Sequence, residues 1–179
     1  MTSAWTHQQL QHAIQDEVAA VVYAETHERP RGPAADQGAA AQVLGVDRSP
    51  ASDTAVAWAA AEAVRRGGRL VLVRAEEPGD RPRSTGARGE EHHLTALAAS
   101  VRAAHPRLVD VGSELAVGAA GPALVARAAD ADLLVVGTHG RGPVSRALLG
   151  SASAYCAVHA HVPTVIVPAE WSERPRPKR

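Results

Sequence analysis

The sequence predicts an α/β fold, an open doubly wound five-stranded parallel sheet with helices on both faces. Short and nearly continuous apolar segments recur along the chain, and amphipathic helical patterns lie between them. Continuous apolar runs are typical of strands that are covered on both faces. Regular alternation of strand and helix requires right-handed crossovers between parallel strands, and such crossovers place helices on both sides of the sheet.

Four apolar segments are predicted to form buried strands, and a fifth segment is a weaker candidate. Each of the four is rich in Leu or in β-branched residues. The fifth is interrupted by the polar sequence Gly-Ser-Glu. The predicted strands are residues 43–46, 70–73, 133–136 and 164–167, with the weaker strand at 109–117.

The helix after the first strand is predicted from its start and stop signals. Ser49 can cap it, and Pro50 suits the first helical position. The residues 65–68, Arg-Arg-Gly-Gly, supply the cations and glycines that are common at a helix end. Its predicted apolar stripe consists of Ala57, Ala60, Ala61 and Val64.

Three further helices follow along the chain. The second has apolar residues at positions i, i+3, i+4 and i+7 and stops before Pro106. Gly121 and Pro122 open the third, and the fourth begins at Gly150 and runs toward Val158. The predicted inner face of the second helix is Leu94, Leu97, Ala98 and Val101, and that of the third is Leu124, Val125 and Ala128.

The chain divides into three parts, of which residues 41–169 form the predicted domain. Residues 1–40 are predicted to hold an amphipathic helix, marked by apolar residues between Leu10 and Val21, followed by a linker. This helix could pack on the domain or on a dimer mate, or it could dock a protein partner. Residues 170–179 are predicted to be a flexible tail.

Composition excludes several classes of function. The 19 Lys and Arg residues balance 19 Asp and Glu residues, so the chain has no basic excess of the kind that marks a nucleic-acid-binding protein. No apolar run approaches the roughly 18 residues of a membrane span. The only cysteine, Cys156, excludes an internal disulfide and favours a reducing compartment. We therefore expect a cytoplasmic protein that binds neither nucleic acid nor membrane.

The most informative segment is VVGTHGRGPVSRALLGSAS, residues 135–153. It places several glycines between a predicted strand and the start of a helix. Glycines let backbone amides approach a polyphosphate, and the unpaired amides of a helix start attract anions. Ser151 and Ser153 add hydroxyl groups there. The segment can thus cradle phosphates, although glycines at such a place can also serve only to turn the chain.

The spacing Gly137-x2-Gly140-x9-Gly150-Ser151, with Ser153 two residues further on, resembles the ATP-binding signature of the universal stress protein family. The first strand and turn, VLGVDRSPAS, resemble the opening of that family, and the resemblance covers roughly residues 41–169. It implies membership of the ATP-binding subgroup. It also implies an adenine nucleotide alpha hydrolase-like sheet with the strand order 3-2-1-4-5.

The resemblance also implies which residues bind ATP. Asp47 would contact the adenine end, and Gly45, Val46 and Ala75 would shape the base pocket. The residues implied to hold ribose and phosphates, with Mg²⁺ expected to accompany ATP, are Val136, Gly137, His139, Gly140, Arg141, Gly142, Gly150, Ser151, Ala152 and Ser153. On the residues alone, Asp47 could instead cap the turn beside Ser49, and Arg141 could be an exposed loop residue.

Two residues depart from the family pattern. Arg48 stands where a glycine frequently follows the acidic residue, and its side chain could either reach the ligand or crowd the entrance. Arg74 stands where the family often has a histidine at the end of the second strand.

The function predicted from these observations is an ATP-binding, non-catalytic module of a stress or dormancy response. The family resemblance also implies a homodimer through the final strand, residues 164–167. No nucleophile or carboxylate is placed beside His139 by spacing, so the sequence gives turnover no support. Two alternatives stay open. One is a slow ATP hydrolase or phosphotransferase that uses Asp47 and the glycine loop, and the other is a nucleotide-independent interaction protein that uses the N-terminal helix.

Overall fold

The structure is a computed structural model and describes residues 40–76, 86–138 and 149–169. Within these ranges strands and helices alternate along the chain, as the apolar segments predict. The elements are β1 (Ala41–Gly45), α1 (Pro50–Arg66), β2 (Arg69–Glu76), α2 (Gly86–Ala104), β3 (Asp110–Val117), α3 (Ala120–Arg127), β4 (Leu133–Gly137), α4 (Ser151–His159) and β5 (Thr164–Val167).

The strands form one five-stranded sheet in the order β3-β2-β1-β4-β5, which confirms the predicted order. All neighbouring strands pair in parallel. The central strand is β1, whose Leu44 lies opposite Leu72 of β2 and Val135 of β4. The carboxyl ends of β1 and β4 are therefore neighbours at one edge of the sheet.

Two apolar cores lie on opposite faces of the sheet, which confirms the doubly wound architecture. On one face, α1 and α2 pack over inward side chains such as Leu44, Leu72 and Val135. On the other, α3 and α4 pack over Val43 and Val136. Alternate residues of each strand thus serve different cores, and this explains why the strand sequences are apolar without interruption.

Of the apolar stripe predicted for α1, only Ala60 is buried, so the predicted face is wrong at the other three positions. Ala57 is exposed, while Ala61 and Val64 are only half-buried. In a helix where alanine fills most positions, the apolar pattern does not select one face, and the contact with the sheet decides which face is buried. The buried residues of α1 are Ala51, Ser52, Ala55, Ala59, Ala60, Glu62 and Ala63.

The segment with the weakest strand signal, residues 109–117, contains the complete strand β3. β3 pairs with β2 in register over eight residues, and the polar Gly-Ser-Glu sequence lies inside it. It is an edge strand in which only Val111 and Ala116 are buried. Because an edge strand needs less apolar cover than a central one, its sequence carries a weaker strand signal.

The predicted N-terminal helix, residues 1–39 and the predicted tail from residue 170 lie outside the described residues. The same holds for residues 77–85 and 139–148. In the described parts of the chain, no helix has the length and apolar character that crossing a membrane requires.

Candidate functional site

The candidate site lies where the carboxyl ends of β1 and β4 meet and where α1 and α4 begin. In open parallel sheets, ligands bind beyond the carboxyl ends of strands at the point where the winding reverses direction. Here the chain winds from β1 toward β2 and β3 on one side, and β4 and β5 lie on the other. The fold therefore places the two described ends of the predicted glycine segment and the predicted Asp47 turn at one switch point.

The turn between β1 and α1 is held by three short hydrogen bonds. The Ser49 amide donates to Asp47 Oδ1 at 3.0 Å, and the Ser52 amide donates to Ser49 Oγ at 3.1 Å. The Asp47 amide donates to Ser52 Oγ at 3.2 Å. Ser49 is therefore the N-cap of α1, as predicted, and Asp47 does have the turn-capping contact that the residues alone suggested. Contact of Asp47 with adenine stays a prediction.

Arg48 reaches from the β1–α1 turn to α2. Its backbone is left-handed, with φ +64°, and its guanidinium lies 3.0 Å from the carboxylate of Glu90. Arg74, at the end of β2, approaches the other carboxylate oxygen of Glu90 at 3.0 Å. The two residues that depart from the family pattern therefore converge on one buried glutamate.

Sequence reasoning missed Glu90, although a signal was present. Glu90 lies one helical turn before Leu94, so it is on the buried face of α2, at the N-terminal end of that face. A carboxylate on a buried helix face needs cationic partners, because an unpaired buried charge is very unfavourable. Arg48 and Arg74, at the ends of neighbouring strands, were the available cations.

The other side of the site is the connection between β4 and α4. The Gly150 amide donates to the Thr138 carbonyl at 2.6 Å. The buried Ser153 hydroxyl lies 2.9 Å from the same carbonyl and 3.0 Å from the Gly150 carbonyl. The glycine segment therefore leaves and re-enters the sheet edge at one point. The hydroxyl proton of Ser153, predicted to serve phosphates, is donated to the backbone here.

The N-cap residue of α4 has no side chain with which to cap the helix. Gly150 occupies this position with φ −63° and ψ 158°, and it supplies no side-chain hydrogen bond to the first amides of the helix. Ser151 is exposed and Ala152 is half-buried. Because the first amides of a helix lack partners within the helix, they can bind an anion.

Two of the predicted glycines have a packing role. A Cβ on Gly45 would lie 2.7 Å from Leu124 of α3, and a Cβ on Gly137 would lie 2.9 Å from the backbone of Ala51 in α1. Both glycines let a helix approach the sheet closely, which is independent of any ligand. Val136 is buried in the core, and Ala75 is half-buried opposite Ala116 of β3.

The structure thus brings the described site residues to one edge of the sheet, from β1, β2, β4 and the start of α4. The ligand contacts predicted for these residues stay predictions. Four predicted site residues lie outside the described part of the chain: His139, Gly140, Arg141 and Gly142.

The described residues contain no clustered metal ligands, and their cysteine is buried. No group of three or more His, Cys, Asp or Glu side chains within residues 40–76, 86–138 and 149–169 is arranged to hold a metal ion. Cys156 is buried in α4, and burial raises the pKa of its thiol from 9.0 to about 12. A thiol with so high a pKa is a poor nucleophile at neutral pH.

Comparisons with known proteins agree with the fold. A universal stress protein of Mycobacterium tuberculosis is 38% identical over 152 residues, covering 76% of this chain and 50% of the relative. A universal stress protein of Mycolicibacterium smegmatis is 40% identical over 131 residues, covering 70% of this chain and 44% of the relative. The chain therefore spans about half the length of the curated relatives that it matches.

Among solved structures, a universal stress protein in complex with cAMP is similar, with a TM-score of 0.59 and 30% sequence identity. The match covers 74% of this chain and 98% of that protein. The sequence profile of the universal stress protein family matches residues 43–168, which include all five strands except the first two residues of β1. The chain therefore belongs to the universal stress protein family.

Proposed function

We propose that this protein binds ATP at the edge formed by β1, β4 and α4, and acts as a nucleotide-responsive, non-catalytic module of a stress response. The observation that carries the proposal is the glycine N-cap of α4, whose amide bonds to the Thr138 carbonyl just after β4, at the switch point of the sheet. The similarity to a universal stress protein in complex with cAMP supports an adenine nucleotide as the ligand.

The phosphates would lie at the amides of Ser151 and Ala152, where the positive end of the α4 dipole favours a negative charge. Gly150 has no side chain to occupy that position. The adenine would lie toward β1 and β2, near Asp47 and Ala75. Mg²⁺ would be held chiefly by the phosphates, as is usual for a cation that keeps most of its waters.

The non-catalytic part of the proposal rests on how the polar groups of the site are used. The Ser153 hydroxyl is donated to backbone carbonyls, and Asp47 Oδ1 accepts the Ser49 amide. A group engaged in holding a turn is poorly placed to attack a phosphate or to remove a proton from water. Nucleotide binding would then act by favouring one of two conformations with unequal affinity.

Calorimetric titration with ATP in the presence of Mg²⁺ tests the proposal. The parent protein should bind ATP, and a Gly140→Asp/Gly150→Asp variant that unfolds at a similar temperature should not. Titrations with AMP and cAMP then rank the three nucleotides by affinity. If neither protein binds an adenine nucleotide, the proposal is wrong, and the interaction protein with an N-terminal partner helix becomes the better hypothesis.

The hydrolase alternative is tested with the same proteins. Phosphate release by the parent above the level of the Gly140→Asp/Gly150→Asp variant would show turnover and would contradict the non-catalytic proposal. Equal release by both proteins would support it.

A homodimer through β5 is the second part of the proposal. β5 is an edge strand, and all four of its side chains are buried within this chain. A partner at that edge would therefore meet mainly unpaired backbone groups, which are a ready template for another strand. Sedimentation velocity over a range of concentrations should show a dimer. We also propose a cytoplasmic location, because the lone Cys156 suits a reducing compartment.

A further inference from the structure

We propose that Glu90 is a positioning residue for the nucleotide site, because through Arg48 it holds the turn that presents Asp47. The inference rests on the proposed function, since it concerns the same site. Glu90 itself lies on α2, and its carboxylate is occupied by arginines, so it would act on the ligand only through other residues.

The first observation is the arrangement of charges around Glu90. Its side chain is 0% exposed, and each carboxylate oxygen meets one guanidinium at 3.0 Å. Arg48 comes from the β1–α1 turn and Arg74 from the end of β2. No donor of the described residues is aligned for a hydrogen bond with either oxygen of Glu90, so the contacts are ion pairs. The ion pairs connect α2 to the carboxyl ends of two central strands.

The second observation is the backbone of Arg48. Among the described residues, it is the only one other than glycine with positive φ, at +64°. This conformation is unfavourable for a residue with a Cβ, and it persists only where the surroundings hold it. The ion pair with Glu90 is a contact of the Arg48 side chain that can do so.

The strained residue lies between the two partners of a hydrogen bond. The Ser49 amide donates to Asp47 Oδ1 across Arg48 at 3.0 Å. If Arg48 relaxed to negative φ, the peptide that carries the Ser49 amide would rotate, and this bond would lengthen. The orientation of the Asp47 carboxylate therefore depends on the conformation of Arg48, and through it on Glu90.

The chain contains a matched control for this chemistry. Glu62 is also buried and also paired with two arginines, Arg65 and Arg66. All three residues lie in the last turns of α1, at the opposite end of that helix from the Asp47 turn. Glu62→Gln removes the same charge from the same kind of cluster without touching the turn.

Amide hydrogen exchange in nucleotide-free protein is the first test. Glu90→Gln should speed exchange at the Ser49 amide by about ten-fold. This factor is expected when the ion pair no longer offsets the free-energy cost of the left-handed backbone at Arg48. Glu62→Gln should leave it unchanged. In the Glu90→Gln background, Arg48→Gly should restore slow exchange because glycine accepts positive φ, whereas Arg48→Ala should not. Unchanged exchange in Glu90→Gln would overturn the inference.

Nucleotide affinity is the second test, measured well below the unfolding midpoint of each variant. Glu90→Gln should weaken adenosine, AMP and ATP by the same factor, about ten-fold, because only the presentation of Asp47 changes. Arg48→Gly/Glu90→Gln should bind like the parent. A loss that grows with the number of phosphates would mean that the arginines contact phosphate directly, and it would overturn the positioning role.

The two proposals fail in different ways. If the parent binds no adenosine or ATP, the proposed function is wrong, and the positioning role has no site to serve. If the parent binds ATP and Glu90→Gln binds it equally well, only the inference about Glu90 is wrong.

Discussion

The starts of α1 and α4 lie at the same edge of the sheet but differ in how their first amides are satisfied. At α1, the Ser49 side chain accepts the Ser52 amide, and Pro50 has no amide hydrogen to satisfy. At α4, the N-cap is Gly150, which has no side chain to accept an amide. The N-cap residue therefore caps α1, whereas at α4 it does not. Two helices that begin at the same end of the sheet thus differ in the chemistry of their N-cap residues.

The largest expected effect comes from closing the open start of α4. Gly150→Asp should weaken ATP binding at least about 100-fold, or about 2.7 kcal/mol, because a carboxylate would cap the helix and repel the phosphates. The backbone of Gly150 is extended and accepts either residue, so stability should not fall. Titration calorimetry measures the affinity. Gly150→Asn is the matched neutral control and should lose less than about ten-fold. Equal losses in both variants would argue against an anion at this helix start.

Removing the side-chain cap at the start of α1 should mainly reduce stability and change ATP affinity less. Ser49→Ala should reduce the free energy of unfolding by about 1 kcal/mol, because the Ser52 amide loses its acceptor, while ATP affinity changes less. Urea unfolding measures the loss. Ser49→Gly should cost only a few tenths of a kcal/mol. If both substitutions had the same small effect, the Ser49 cap would contribute little.

A smaller effect is expected from the serine that ties α4 to β4. Ser153→Ala removes a buried hydroxyl but leaves the Thr138 carbonyl with the Gly150 amide, so the unfolding free energy should fall by about 0.5–1 kcal/mol. Ser151→Ala is the exposed control and should not change stability. Thermal unfolding of both variants checks the difference. A larger loss in Ser151→Ala would show that the two hydroxyl groups have been assigned the wrong roles.

The smallest effect concerns Cys156, which is buried in the middle of α4. Burial raises the pKa of Cys156 from 9.0 to about 12, so the neutral thiol stabilises the fold fully below pH 9 and this contribution is lost as the pH rises toward 12. Relative to Cys156→Ala, the parent should lose about 0.4 kcal/mol by pH 9, and more above it. Urea unfolding of both proteins from pH 7 to 9 measures the difference. A constant difference over that range would mean that the thiol is not buried.

The sheet could be predicted from the sequence because four of its strands are apolar on both faces. The face of α1 could not be predicted in the same way, since alanine occurs all around that helix and the packing against the sheet decides. β3 was only weakly predicted because an edge strand tolerates polar residues such as Ser113 and Glu114.

The strand ends that form the candidate site were predictable, but the contacts between side chains there were not. The glycine spacing and the order of strands give the edge where β1 and β4 end. Nothing local in the sequence shows that Arg48 and Arg74 meet Glu90, because the three residues come from separate elements and meet only in the folded chain. The hydrogen bond from the Ser153 hydroxyl to the Thr138 carbonyl is likewise a tertiary contact, between residues 15 apart in sequence.

The hydrogen bond between Gly150 and Thr138 also bears on how this family can diversify. Because it fixes both ends of the connecting segment at one point, the length of that segment is not dictated by the distance between β4 and α4. The entropy of closing a flexible loop grows slowly, by roughly 0.6 kcal/mol for each doubling of its length. Insertions between these two residues should therefore be tolerated by the sheet, so evolution can change the length of this connection without rebuilding the fold beneath it.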